Sequence, residues 1–177
     1  PLNAMLGWSQ LLLQGARDEA MLRRGLDTIE RNARAQSQLI DDMLDMSRLL
    51  AGKVRIDAAP IQPQDFVNAA LETARPAALA RSITLNASID HGAGPVRGDL
   101  ARMQQVMSNL LSNAIKFTEP GGVVTVTLRS DGEGDERAVA IDVADTGAGI
   151  APEFLPYVFD RFRQADSSSA RRHGGLG

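Results

Sequence analysis

The chain has 177 residues, enough for one ordinary domain or two small ones. With 44% apolar residues but only 4% aromatics, its core must be built mostly from Leu, Ile, Val, Ala and Met. A net charge of −3, with basic residues spread along the chain, argues against a nucleic-acid surface, and the lack of cysteine excludes disulfides, thiolate metal sites and a cysteine nucleophile.

Residues 1–14 read as a helix with Leu2, Met5, Leu6, Ser9, Leu12 and Leu13 on one side, ended by Gly15. A second helix runs from Asp18 to about Leu50. Its inward positions Leu22, Leu26, Ile29, Ala33, Gln36, Ile40, Met43, Ser47 and Leu50 alternate steps of four and three, a heptad seam. A helix of about 32 residues is roughly 48 Å long and wants partners along its length. A hairpin that dimerises into a four-helix bundle supplies them; packing of a long amphipathic helix on its own domain is the alternative. Ala51-Gly52 closes this helix, Lys53–Ala58 alternates like a short strand, and Pro60 and Pro63 mark a linker.

The second half begins with a helix over Asp65–Arg81 and a strand over Ile83–Ile89. A glycine-rich turn spans His91–Pro95. Asp99–Phe117 is a strongly amphipathic helix with Asp99 in its N-cap region. Its buried stripe is expected to be Met103, Val106, Met107, Leu110, Leu111 and Ala114. Gly121-Gly122 turns the chain into strands Val123–Arg129 and Ala138–Ala144. From Asp145 to Gly177 the pattern is loop-like, apart from a helical turn near Tyr157–Phe162; an open stretch this long is more often a functional lid. The class is α+β, with helices on one face of a mixed, largely antiparallel sheet.

Four groups of residues carry chemistry. On the helix Asp99–Phe117, Arg102, Gln105, Asn109, Asn113 and Lys116 fall within an arc of roughly 80°. Asparagine is a poor helix former, so two in mid-helix carry a cost. An amide oxygen suits Mg²⁺, and Lys116 can meet a phosphate as a point charge; a merely polar face is the competing reading. In Asp145-Thr146-Gly147-Ala148-Gly149-Ile150, a partly buried carboxylate at a strand end can accept from an exocyclic amine. The glycines let the backbone approach a flat base, although a plain turn has the same signature. Phe159 and Phe162, in FDRFRQAD, can staple a polar loop to the domain or simply fill its core. Gly174-Gly175-Leu176-Gly177 can offer backbone N–H groups to phosphate.

Taken in order, these motifs resemble the ATP-binding domain of histidine kinases, within the GHKL (Bergerat-fold) ATPases. QQVMSNLLSNAIKFT is similar to the asparagine box, DTGAGI to the first glycine box, FDRFRQAD to the phenylalanine box and GGLG to the start of the second glycine box. PLNAMLGWSQLLL resembles the segment just after the phosphoacceptor histidine, and LIDDMLDMSRLLAGK the second dimerisation helix.

The resemblance implies residues 1–52 as the dimerisation hairpin, 53–63 as linker and 64–177 as the ATP-binding domain, with both ends of the sequence cut. Asn113 would hold Mg²⁺, and Asn109 and Lys116 would contact the phosphates of ATP. Asp145 would bind the adenine amine, with Gly147, Gly149 and Ile150 shaping the base pocket. Phe159 and Phe162 would hold the lid base, and Gln164, Gly175 and Gly177 would reach toward phosphate. The acceptor histidine would lie upstream of Pro1, so no catalytic histidine is expected here; His91 and His173 read as loop residues. The implied partners are a second copy, through the hairpin, and the receiver domain of a response regulator. The domain is expected in the cytoplasm, with a membrane reached only through other parts of a longer protein. A hydrolysing GHKL ATPase would carry Glu at position 109, where this chain has Asn. A non-catalytic dimerisation scaffold or pseudokinase is the other alternative.

Overall fold

The structure, a computed structural model, describes residues 1–15, 18–52, 55–132, 138–160 and 163; at residues 38, 42, 45, 46 and 49 it describes the backbone alone. The chain divides into two compact units, one of Pro1–Val54 with Glu153–Gly177 and one of Arg55–Pro152.

The first unit is a helical hairpin, α1 (Leu2–Leu13) and α2 (Glu19–Leu50). Asp18 starts α2, its Oδ1 accepting from the Met21 N–H at 2.6 Å. Gly25 is the buried point of closest approach: a Cβ there would meet Leu12 Cδ1 at 2.8 Å and Trp8 Cε3 at 3.0 Å. The half-covered side of the hairpin carries Met5, Trp8 and Leu12 on α1, and Met21, Thr28, Ile29, Asn32, Gln36 and Leu39 on α2. Of the heptad seam, only Ile29 and Gln36 lie there. Leu22, Leu26, Ile40, Met43 and Leu50 are exposed, as are Leu2, Leu6 and Leu13 of α1. α1 makes its close approach at Gly25, and most of the seam's large apolar residues stay outside that contact. No helix among the described residues is long and apolar enough to cross a membrane.

The second unit runs β1 (Ala59–Ile61), α3 (Pro63–Ala80), β2 (Thr84–Ile89), β3 (Val96–Gly98), α4 (Leu100–Phe117), β4 (Val123–Asp131) and β5 (Ala138–Asp145). Two of these strands differ from expectation. Residues 55–58 are not a strand; the chain pairs only at Ala59–Ile61, antiparallel to β3, a strand with no sequence counterpart. Pro60 fits an edge position because it needs no ladder donor, and Pro63 starts α3, where its missing N–H costs nothing.

The main sheet has the order β2-β4-β5. β2 and β4 are parallel, which requires a crossover, and α4 supplies it; β4 and β5 are an antiparallel pair. On β4 the buried Val124, Val126 and Leu128 alternate with half-covered Thr125 and Thr127. Val124 and Val126 meet Phe66, Val67, Ala70 and Leu71 of α3 and Met107, Leu111, Ala114 and Ile115 of α4 in one apolar cluster. The α4 stripe is therefore rotated from the expected one. Ile115 joins the core, while Val106 and Leu110 are exposed, because the side of the helix packed on α3 and β5 is the one covered among the described residues.

Candidate functional site

The site grows from the two ends of α4. Asp99 is its N-cap, with Oδ1 accepting from the N–H groups of Ala101 at 3.0 Å and Arg102 at 3.2 Å. This satisfies donors that every helix start leaves orphaned. The other oxygen accepts from the Asp57 N–H at 3.2 Å, tying the incoming chain to the helix start. That bond is the first cause holding the Asp99 carboxyl below its ordinary value, followed by the Arg102 N–H.

At the far end, Thr118 leaves the helix in extended conformation, its buried hydroxyl donating to the Ala114 carbonyl at 2.7 Å. Gly121, at φ +86°, reverses the chain into β4. β5 then brings Asp145 back beside this helix end. Asp145 Oδ1 accepts from the Gly147 N–H at 2.8 Å, and the Ala148 N–H donates to the Phe117 carbonyl at 3.4 Å. Gly147 is pressed so closely on Phe117 that a Cβ would lie 2.8 Å from its carbonyl carbon. Only glycine fits there without moving backbone.

The structure thus brings Asp145 and Gly147 against the end of the helix that displays Asn109, Asn113 and Lys116. Asn113 sits one turn before Phe117, about 6 Å along the axis. Asn109 and Asn113 are exposed, and neither amide makes a hydrogen bond to a described residue. Two poor helix formers in mid-helix with uncommitted side chains suit ligand contact better than fold stability. The donor set is one that Mg²⁺ and phosphate accept: neutral amide oxygens plus an ammonium. The Lys116 ammonium lies 4.8 Å from the Phe117 ring centroid, and partial burial lowers its pKa. Asp145 is exposed, where the sequence leads one to expect partial burial, because β5 is the edge strand of the sheet among the described residues. Gly149 takes φ +69°, and Ile150 is exposed beside it.

Of the remaining expected residues, Phe159 belongs to the other unit and is 97% exposed. The short helical turn expected at Tyr157–Phe162 is a 3₁₀ turn at Leu155–Tyr157, where Arg163 stacks 3.7 Å over the Tyr157 ring and bonds Asp160 at 2.9 Å. Phe162, Gln164, Gly175 and Gly177 lie outside the described residues.

Sequence reasoning missed the supports. Thr146 Oγ1 accepts from the Val123 N–H at 2.9 Å while its own N–H donates to the Val123 carbonyl, which fixes the glycine loop to β4. Arg81 bonds the Lys116 carbonyl at 3.0 Å and the Thr118 carbonyl at 3.3 Å. A lone Thr and a lone Arg carry no motif; only the folded contact reveals them.

The chain is thus a two-helix hairpin followed by two helices on a mixed sheet, with a strand-end carboxylate turn set against the end of the helix that carries the amides. Residues 1–52 match the His Kinase A (phospho-acceptor) domain, and residues 98–177 match the histidine kinase-, DNA gyrase B-, and HSP90-like ATPases. The chain belongs to the histidine kinase family. It is 35% identical to the hybrid signal transduction histidine kinase D of Dictyostelium discoideum, over all of this chain and 14% of that protein. It is also 35% identical to the sensor histidine kinase GacS of Pseudomonas protegens, over all of this chain and 19% of that one, and 33% identical to BarA of Escherichia coli, again over 19%. The chain therefore spans less than a quarter of these curated relatives. Among solved structures, full-length ShkA in complex with AMPPNP superposes with a TM-score of 0.70 at 28% identity, covering 96% of this chain and 36% of that one. The histidine kinase AdeS of Acinetobacter baumannii gives 0.69 at 22% identity, covering 92% of this chain and 77% of that one, a likeness of fold.

Proposed function

We propose that this chain is the kinase core of a two-component sensor, transferring the γ-phosphate of Mg·ATP to a histidine, from which it passes to an aspartate on a response-regulator receiver domain. In this reading residues 1–52 are the dimerisation hairpin, 53–63 the linker and 64–177 the catalytic domain, working in the cytoplasm as a homodimer. ATP brings the phosphoryl group, and Mg²⁺ neutralises charge on it; transfer of this kind needs mainly positioning and electrostatics from the protein.

The chain's own residues suit that work. Asp145 keeps one carboxylate oxygen on the Gly147 N–H and can turn the other to a purine amine. Gly147 and Gly149 keep the base pocket free of side chains, with Ile150 beside them. Asn113 would hold the metal, and Asn109 and Lys116 would hold phosphate oxygens. Asn109 cannot activate water as a base, which favours transfer over hydrolysis.

The observation that carries the proposal is the seating of the Asp145–Gly147 turn on the Phe117 carbonyl, one helical turn from Asn113. The test is titration with a non-hydrolysable ATP analogue with and without Mg²⁺, followed by a phosphotransfer assay in protein that includes an acceptor histidine. Asn113→Ala is expected to remove the Mg²⁺-dependent affinity and the acid-labile, base-stable phosphate. Full transfer activity in that variant overturns the assignment, and a folded wild-type protein that binds no nucleotide favours the scaffold reading.

A further inference from the structure

Arg81 follows the last residue of α3, and its guanidinium crosses to the C-terminal end of α4. Nη1 donates to the Lys116 carbonyl at 3.0 Å and Nη2 to the Thr118 carbonyl at 3.3 Å, both part-buried. These carbonyls belong to the end of a helix, where acceptors lack intrahelical partners and the dipole favours a cation. The rigid planar fork of the guanidinium presents a separate nitrogen to each acceptor. Between them lies Phe117, whose own carbonyl receives the Ala148 N–H and abuts Gly147. The Phe117 peptide is therefore gripped from two directions, by Arg81 through its neighbours and by the glycine loop directly. Backbone bonds extend the same brace: the Gly121 N–H donates to the Ser82 carbonyl at 2.9 Å, and the Thr84 N–H to the Gly122 carbonyl at 3.0 Å.

The geometry points to Arg81 as a positioning residue for nucleotide binding: it sets the end of α4, and with it Lys116 and Asn113, at a fixed height against the Asp145–Gly149 turn. The inference rests on the kinase reading above. Arg81 bears on how the two halves of the site are spaced. Its loss should weaken a ligand that must touch both halves and spare a ligand that needs only the base half. A triphosphate is the first kind of ligand and adenosine the second.

The experiment compares affinities for Mg·AMPPNP and for adenosine, well below the melting temperature, in wild type, Arg81→Gln and Arg81→Lys. Arg81→Gln should lose about tenfold in AMPPNP affinity and less than twofold in adenosine affinity. Arg81→Lys, keeping the charge but on a single nitrogen, should lose about threefold in AMPPNP affinity. A merely structural role would lower the melting temperature but leave the ratio of the two affinities unchanged, and an unchanged ratio overturns the proposal. If Arg81→Gln does not fold, the ratio in Arg81→Lys decides alone by the same criterion. A wild-type protein that binds no AMPPNP overturns both this inference and the kinase reading. Normal wild-type binding with an unshifted ratio in the variants overturns this inference only.

Discussion

Gly147→Ala tests the central contact of the site. The added methyl would lie 2.8 Å from the Phe117 carbonyl carbon and 2.8 Å from Asp145 Oδ1, and nearer still to the Phe117 oxygen. Carbon atoms do not approach backbone this closely, so something must shift. Phe117 is held by the end of α4, and Asp145 is held by its bond to the Gly147 N–H. The loop therefore moves rather than its seat, at about 1–3 kcal/mol, the usual cost of inserting a methyl into a filled space. The same shift carries Asp145 away from Asn113 and Lys116. If half of that cost falls on binding, about 0.5–1.5 kcal/mol, nucleotide affinity drops about two- to tenfold, since each 1.4 kcal/mol is a factor of ten. Calorimetric titration with Mg·AMPPNP, set beside thermal unfolding of the free protein, reads both effects. Gly121→Ala is the control. Gly121 has φ +86° but nothing within 4 Å of its virtual Cβ, so the variant should lose about 1–2 kcal/mol of stability to left-handed strain while binding stays intact. A Gly147→Ala protein that melts with wild type and binds within twofold would refute the tight seating.

Leu111, almost fully buried on the core side of α4, should cost about 2–5 kcal/mol as Leu111→Ala, seen as a fall of roughly 10 °C or more in Tm. Asp99 and Asp90 are held below their ordinary pKa, Asp99 chiefly by the Asp57 N–H and Asp90 chiefly by the Gly92 N–H and then the Ser130 hydroxyl. A folded pKa below the unfolded one means stability that is present above about pH 4 and lost as pH falls through the folded value. Asp99→Ala and Asp90→Ala should therefore melt below wild type at pH 7 and approach it in acid; an undiminished gap at pH 2 contradicts this. If the exposed seam of α2 meets a second copy, Leu26→Glu with Ile40→Glu should convert a dimer to monomer in sedimentation equilibrium, and an unchanged mass would exclude that face.

The elements legible in the sequence are those whose pattern is local. Asp99 announces the start of α4 through cap chemistry that needs no tertiary partner, and the alternation of Val124, Val126 and Leu128 marks β4 as half-buried by period alone. β1 and β3 escape notice because each is three residues long and exists through pairing with a strand more than 30 positions away. The seam of α2 has the right period, but the sequence does not say which neighbour it serves. Gly25 answers that within the hairpin, since a residue without a side chain outcompetes Leu22 and Leu26 for close approach. Val106 and Leu110 depart from the expected stripe for a related reason: a helix moment gives a direction but not the angle at which two helices and a sheet divide it. In the site, asparagines and glycines are visible because they are poor choices for a helix or a strand end. Arg81 and Thr146 are invisible because they are ordinary choices whose work lies in what they reach.

The division of α4 into separate faces has a consequence for how the protein tolerates change. Its core residues Met107, Leu111, Ala114 and Ile115 lie on one side and its uncommitted amides Asn109 and Asn113 on another, so the residues that hold the helix are not those available to ligand. Exposed mid-helix asparagine is a slight burden on stability, and replacement by alanine should relieve it. In the proposed function, the folding cost of two such residues one turn apart is set against a gain in binding. The end of the helix is where the faces converge. There the buried Thr118, the half-buried Lys116 and the Phe117 carbonyl join the core, the Lys116 side chain and the Asp145–Gly149 loop within three consecutive residues. A disturbance at that point cannot be confined to stability or to affinity alone, whereas one at Leu111 or at Asn113 can.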